Sequence, residues 1–143
     1  MIFYTVGTQL PFDRLTKMID KFAETSDIEI FGQIGNTDYK PKNFEYCKQL
    51  EVADFERKFD SASIIISHAG MGTILQSLVK GKKIAITARL SKYNEHRNDH
   101  QIATLKRFID FDGVYEINKL EDIQNIVTNA ESHDNSNLSQ WAP

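Results

Sequence analysis

The run Ser63-Ile64-Ile65-Ile66-Ser67 constrains this chain more than any other segment. Three consecutive isoleucines leave no polar face, so a strand there must be covered on both sides, as the strands of parallel sheets are. Gly70 and Gly72 follow at once, then a helical stretch from about Thr73 to Lys80. That stretch is closed by Gly81, where a left-handed residue suits a helix end. A buried strand, a glycine turn and a helix make one βα unit, and a fold built from such units has a parallel sheet with helices on its faces.

The rest of the chain repeats the alternation. Ile2–Val6 is β-branched and aromatic and stops at Gly7. Pro11 suits the first turn of a helix, and Leu15, Met18, Ile19 and Phe22 follow as one apolar stripe. Ile28–Phe31 reads as a second strand, ended by Gly32 and Gly35, and the polar segment 36–48 crosses the surface before a brief strand near Gln49–Val52. A helix from about Ala53 to Ala62 leads into the isoleucine run. Beyond Gly81 come a strand at Lys83–Thr87, a helix at Asn98–Phe111 with Ile102, Leu105 and Ile109 on one face, a strand at Val114–Ile117 and a helix at Leu120–Ala130. The expectation is an α/β domain over residues 1–130, Rossmann-like, with a mostly parallel sheet and helices on both faces. A polar tail, residues 131–143, carries Trp141 as a candidate anchor to a neighbour.

A length of 143 residues fits one domain with a real core. The net charge of −3 gives no footprint for nucleic acid, which is excluded as an expected partner. The local basic cluster of Lys80, Lys82, Lys83 and Arg89 reads as a solvated turn. A single cysteine, Cys47, cannot pair internally, which suits an inert thiol in a reducing cytoplasm. The strand-like opening leaves no room for a signal peptide, and no apolar stretch approaches the roughly 20 residues that span a bilayer. Any work at a membrane is therefore expected to depend on a partner.

Ligands of such folds bind beyond the carboxyl ends of the strands. Gly7, Gly32, Gly35, Gly70 and Gly72 all fall just after expected strands, on that edge. The densest cluster is Ser67-His68-Ala69-Gly70-Met71-Gly72-Thr73. Glycines there let the backbone approach an anion, and the first amides of the next helix are unpaired donors at the positive end of its dipole. A diphosphate would be stabilised without a metal. A tight strand-to-helix turn with His68 packed locally accounts for the same pattern.

Ser67–Thr73 resembles the His-Ala-Gly-x-Gly-Thr/Ser motif of the C-terminal, donor-binding half of GT-B glycosyltransferases related to MurG. The likeness is greatest to small stand-alone subunits of that group, which build dolichol-linked chitobiose or add galactose to lipid-linked sugars in capsule and exopolysaccharide synthesis. It extends over about residues 1–130 and includes Thr5-Val6-Gly7-Thr8 and Asn98-Asp99-His100-Gln101-Ile102-Ala103. The resemblance implies that Gly7 and Thr8 face the donor phosphates, and that His68, Ala69, Gly70, Met71, Gly72 and Thr73 lie under the diphosphate. It also implies that Asp99, His100 and Gln101 hydrogen-bond the sugar hydroxyls, work suited to short polar side chains. Capping of that helix by Asn98 or Asp99 is compatible with this role. Gln76 stands where relatives often carry an Asp or Glu that accepts from both ribose hydroxyls; an amide accepts one such bond and donates another.

The function implied is metal-independent, inverting transfer of a sugar from UDP-galactose or UDP-N-acetylglucosamine to a lipid-linked saccharide, with no cofactor. The acceptor site and general base are expected on a membrane-associated partner subunit, which would hold this chain at the cytoplasmic membrane face. A non-catalytic regulatory or scaffolding subunit is the alternative, and a flavodoxin-like phosphate binder a third. Two further motifs suggest metals. Asp110-Phe111-Asp112 matches Asp-x-Asp but ends a helix, where that chemistry wants a strand end. His96 and His100 have helical metal-site spacing without a third ligand or the Glu of His-Glu-x-x-His.

Overall fold

The computed structural model describes residues 1–7 and 10–138, with side chains up to Asn129. Thr8 of the expected phosphate loop and Trp141 of the tail lie outside the described residues. Six strands, β1 (Ile2–Thr5), β2 (Ile30–Gln33), β3 (Glu45–Cys47), β4 (Ile64–His68), β5 (Lys83–Thr87) and β6 (Val114–Glu116), form one sheet in the order β3-β2-β1-β4-β5-β6. Every pairing is parallel, so the expected mostly parallel sheet is entirely so among the described residues. The helices are α1 (Asp13–Glu24), α2 (Val52–Ser61), α3 (Met71–Val79), α4 (His100–Phe108) and α5 (Leu120–Leu138).

Alternation along the strands divides the core into two layers. Ile64 and Ile66 of β4 join Tyr4, Leu15, Ile19, Phe22 and Ile123 on the face covered by α1 and α5. Ile65 joins Phe3, Phe59, Ile74, Leu78, Leu105 and Phe108 on the face covered by α2, α3 and α4. The three isoleucines are thus buried on both faces, each worth roughly 1.5–3 kcal/mol of transfer from water.

Helix α4 spans His100–Phe108 and not Asn98–Phe111, and three further differences from expectation have physical reasons. The edge strand lies at Glu45–Cys47, not at Gln49–Val52; Glu45 and Tyr46 are exposed, so it carries no hydrophobic signal. Leu50 spends its N–H on Gln33 Oε1 instead of on a ladder. Gly32 lies inside β2, where a Cβ would come within 2.7 Å of the Phe44 ring, so this glycine serves close packing and not the ligand edge. The last helix continues past Ala130 to Leu138, there being neither glycine nor proline before Pro143 to stop it.

The irregular segment after β2 is pinned to α1 by two carboxylates. Tyr39 donates its N–H to Asp13, and Asp20 accepts from the Tyr39 hydroxyl at 2.6 Å and from the N–H groups of Lys42 and Asn43. Burial works to raise the Asp20 carboxyl, but the bonds from Tyr39, Asn43 and Lys42 outweigh it and hold the group below the usual carboxylate range. A depressed folded-state value contributes stability that is complete above the unfolded value of about 4 and is lost as pH falls through the folded one. Asp20→Ala should cost about 2–4 kcal/mol in urea denaturation at pH 7, because it strands three donors. The variant should also lose less stability than the parent as pH is lowered below about 4.

Candidate active site

The strand order reverses direction between β1 and β4, and the crevice beyond their carboxyl ends is the natural ligand position of such a sheet. Gly7 follows β1, and His68 ends β4 before Ala69 and Gly70 lead into α3. The His68 imidazole lies between the two glycines. A Cβ on Gly7 would come 3.5 Å from its Nε2, and a Cβ on Gly70 only 2.3 Å from its Cε1. Any side chain at position 70 would therefore displace the ring.

Helix α3 opens without a side-chain cap: Gly70 occupies the N-cap and offers no oxygen. The N–H groups of its first turn, at Met71, Gly72 and Thr73, face the end of the helix where an anion is favoured. A Cβ on Gly72 would meet nothing within 4 Å, so that flank is open. Ala69 is buried and its N–H is used by Thr87, while Met71 is exposed. Beneath this turn the fully buried Ser67 hydroxyl finds no hydrogen-bond partner among the described residues.

Gln101 fixes the chemical state of His68. The Gln101 carbonyl oxygen accepts from the Arg89 N–H at 2.9 Å, so its amide nitrogen is the atom turned to His68 Nδ1 at 3.0 Å. Nδ1 then accepts, and the ring proton resides on Nε2, the nitrogen near Gly7. Burial, helped by the charge of Arg89, lowers the imidazole to about 4, and an amide that donates to Nδ1 favours the same neutral form. His68 is thus a neutral N–H donor aimed at the crevice.

The structure separates the three residues expected to read a sugar. Gln101 is buried and spends both ends of its amide on Arg89 and His68. Asp99 is exposed and accepts from the Ser91 N–H, which keeps its carboxyl below the usual range. His100 is exposed at the start of α4; its N–H goes to Asn98 Oδ1, while Asp99 occupies the N-cap without a side-chain cap bond. Gln76, on α3, donates to Glu56 of α2 at 3.0 Å. The two metal-like motifs do not assemble. Asp110 and Asp112 precede β6, at the opposite edge of the sheet, and His96 precedes α4 and so does not share a helix face with His100. No group of three or more potential metal ligands occurs among the described residues.

The basic cluster does not stay together. Lys80 pairs with Glu56 and Asp60, Lys82 donates to the carbonyls of Asp60 and Ala62, and Lys83 is buried at the start of β5. Arg89 sits past the other end of β5, 2% exposed, at the crevice edge. It is no part of a solvated turn. Arg14 and Glu95, a two-pronged pair at 2.8 and 2.9 Å, fasten the loop after β5 to α1. None of these three was visible as a site residue; the usable signal was that Arg89 follows a buried strand on its carboxyl side.

A parallel sheet of this order with an anion-ready turn at its switch point is the architecture of the C-terminal, donor-binding domain of GT-B glycosyltransferases. The chain belongs to the glycosyltransferase family 28 C-terminal domain family, whose model matches residues 1–140. Comparison with curated proteins gave no match. The fold is similar to that of a glycotransferase of kitacinnamycin, with 17% identity and a TM-score of 0.72 over 98% of this chain and 37% of that one. MurG of Acinetobacter baumannii is similar at 18% identity and a TM-score of 0.63, over 90% of this chain and 40% of that one. The solution structure of ALG13 matches at 14% identity and a TM-score of 0.59, over 92% of this chain and 85% of that one. The chain thus spans about two fifths of the length of the first two. No helix among the described residues is long and apolar enough to cross a membrane.

The tautomer has a direct readout. Nitrogen-detected NMR of His68 should show the proton on Nε2 and no titration between about pH 5 and 8, given its lowered value. Because the unfolded imidazole takes up a proton at about 6.5, the parent should lose stability as pH falls from there toward about 4. Gln101→Ala should release the ring into mixed tautomers; an unchanged spectrum would sink the assignment.

Proposed function

We propose that the chain is the donor-binding subunit of an inverting glycosyltransferase that takes a UDP-sugar, UDP-galactose or UDP-N-acetylglucosamine, and passes the sugar to a lipid-linked saccharide. The observation that carries this reading is the neutral His68 Nε2–H set between Gly7 and Gly70 beside the uncapped start of α3. The bond from the anomeric carbon to the diphosphate oxygen breaks, and the acceptor hydroxyl oxygen forms a new bond to that carbon from the opposite side. The charge that grows on the departing UDP falls on the α3 amides and the His68 donor, a preorganised electrostatic contribution that needs no metal. The acceptor proton goes to a general base. His68 is not that base, since its free nitrogen already accepts from Gln101.

Strand ends and the start of α3 line the crevice, and the acceptor site and the base belong, in this reading, to a membrane-associated partner. Resemblance to stand-alone subunits of the group supports this, as does the 85% of ALG13 that the chain matches. The Glu56 carboxylate beside Gln76 already accepts from Gln76 and Lys80, so the Gln76 amide oxygen is the group that would accept from a ribose hydroxyl. The scaffolding alternative draws on the same contact, read as an amide already occupied.

Calorimetric titration with UDP and both UDP-sugars, with and without EDTA, tests the proposal. Saturable binding that survives EDTA is expected, weakened about tenfold or more by His68→Ala, the equivalent of about 1.4 kcal/mol. Binding abolished by EDTA overturns the metal-free mechanism. Failure of every uridine nucleotide at millimolar concentration, with the membrane partner supplied, overturns the donor-site reading in favour of a scaffold.

A further inference from the structure

Arg89 is the one buried guanidinium among the described residues, and its partners are unusual. Nη1 donates to the Pro11 carbonyl at 2.6 Å and, at a longer 3.5 Å, to that of Glu95; Nη2 donates to the Leu10 carbonyl at 3.1 Å. The guanidinium also lies over the Phe12 ring, 4.7 Å from its centroid. None of these groups is a carboxylate. The Glu95 carboxylate, which is near, is bound by both prongs of Arg14 and by the Leu90 N–H. Among the described residues no acidic side chain forms an ion pair with Arg89.

Carbonyl dipoles and an aromatic face satisfy the N–H donors without cancelling the charge. An ion buried without a counter-ion is unfavourable, so a fold that carries one has a liability that a bound anion would relieve. The place is specific. Nη2 lies 3.9 Å from where a Cβ on Gly7 would sit, and His68 Nε2 lies 3.5 Å from the same point. Guanidinium, imidazole N–H and the glycine of the β1–α1 turn converge there. Arginine suits the position better than lysine because one planar fork reaches two successive carbonyls.

We infer that Arg89 is the fixed counter-charge of the crevice, clamping the turn after β1 through the Leu10 and Pro11 carbonyls and presenting its charge from behind that turn to a diphosphate. The inference deepens the donor-site reading and rests on it for the nature of the ligand. Arg89 is a positioning and charge-supplying residue, not a catalytic one.

The test compares the parent chain with Arg89→Met and Arg89→Lys, using inorganic pyrophosphate, UDP and uridine as probes in NMR or calorimetric titrations at low and high salt. Circular dichroism checks the fold of each variant. Arg89→Met should bind pyrophosphate and UDP about tenfold or more weakly, with uridine affinity unchanged and the salt dependence reduced. Arg89→Lys should keep pyrophosphate affinity within about threefold, because the charge remains. Equal losses for uridine and UDP, or no loss for UDP, would overturn the inference and leave a loop clamp alone. Where Arg89→Met fails to fold, a folded Arg89→Lys that no longer binds pyrophosphate overturns it equally. A parent that binds pyrophosphate but not UDP sinks the nucleotide reading and supports the counter-charge. A parent that binds UDP but not pyrophosphate sinks the counter-charge and supports the nucleotide reading.

Discussion

A single buried amide joins the parts of the molecule that face the crevice. Gln101 reaches inward from α4, accepts from the backbone at the end of β5 and donates to the imidazole at the end of β4. The side chain of the residue it holds by the backbone, Arg89, continues across to the turn after β1. Three strand ends are thereby connected through one glutamine and one arginine. An amide has a fixed sense, one end accepting and the other donating. The tautomer of His68 therefore follows from a hydrogen bond made on the far side of Gln101.

That arrangement resolves an apparent conflict of charge. The chain carries a net −3, yet the proposed ligand is an anion. Net charge describes the whole surface and its long-range field, which salt screens over about 10 Å. The crevice is governed by what lies within a few ångströms: the start of α3, worth roughly half a positive charge, and the buried Arg89. Lys80 and Lys82, beside Gly81 in the linear sequence, are bound to Glu56, Asp60 and main-chain oxygens, at the other edge of the sheet.

The fold was legible where burial writes itself into the chain. The isoleucines of β4 and the stripe of α1 could face only a core, and both elements lie where patterning placed them. Edge strand β3 was misplaced because a strand that buries little carries no such pattern. At the site, the glycine-rich turn was legible because its backbone demands are severe: Gly70 has no room for a Cβ beside His68. The role of Gln101 was not, since a polar residue at a helix start reads as exposed, and here its second neighbour, Arg89, comes from a different loop. Arg89 was hidden for the same reason. Its partners Leu10 and Pro11 are nearly eighty positions away in sequence and offer only main-chain oxygens, which every residue has.

The strand order also dictates when the molecule can assemble. β1 is made before the other described strands but lies in the middle of the sheet, with Ile2 between Ile30 on one side and Ile64 on the other. Its second edge stays open until β4 has been made, and β4 in turn waits for β5. Long-range parallel pairing of this kind must meet its loop-closure entropy before contacts repay it, which slows folding. During synthesis the apolar segment Ile2–Val6 therefore waits for its second neighbour longer than any other interior strand, the interval in which such segments are prone to associate wrongly or to engage chaperones.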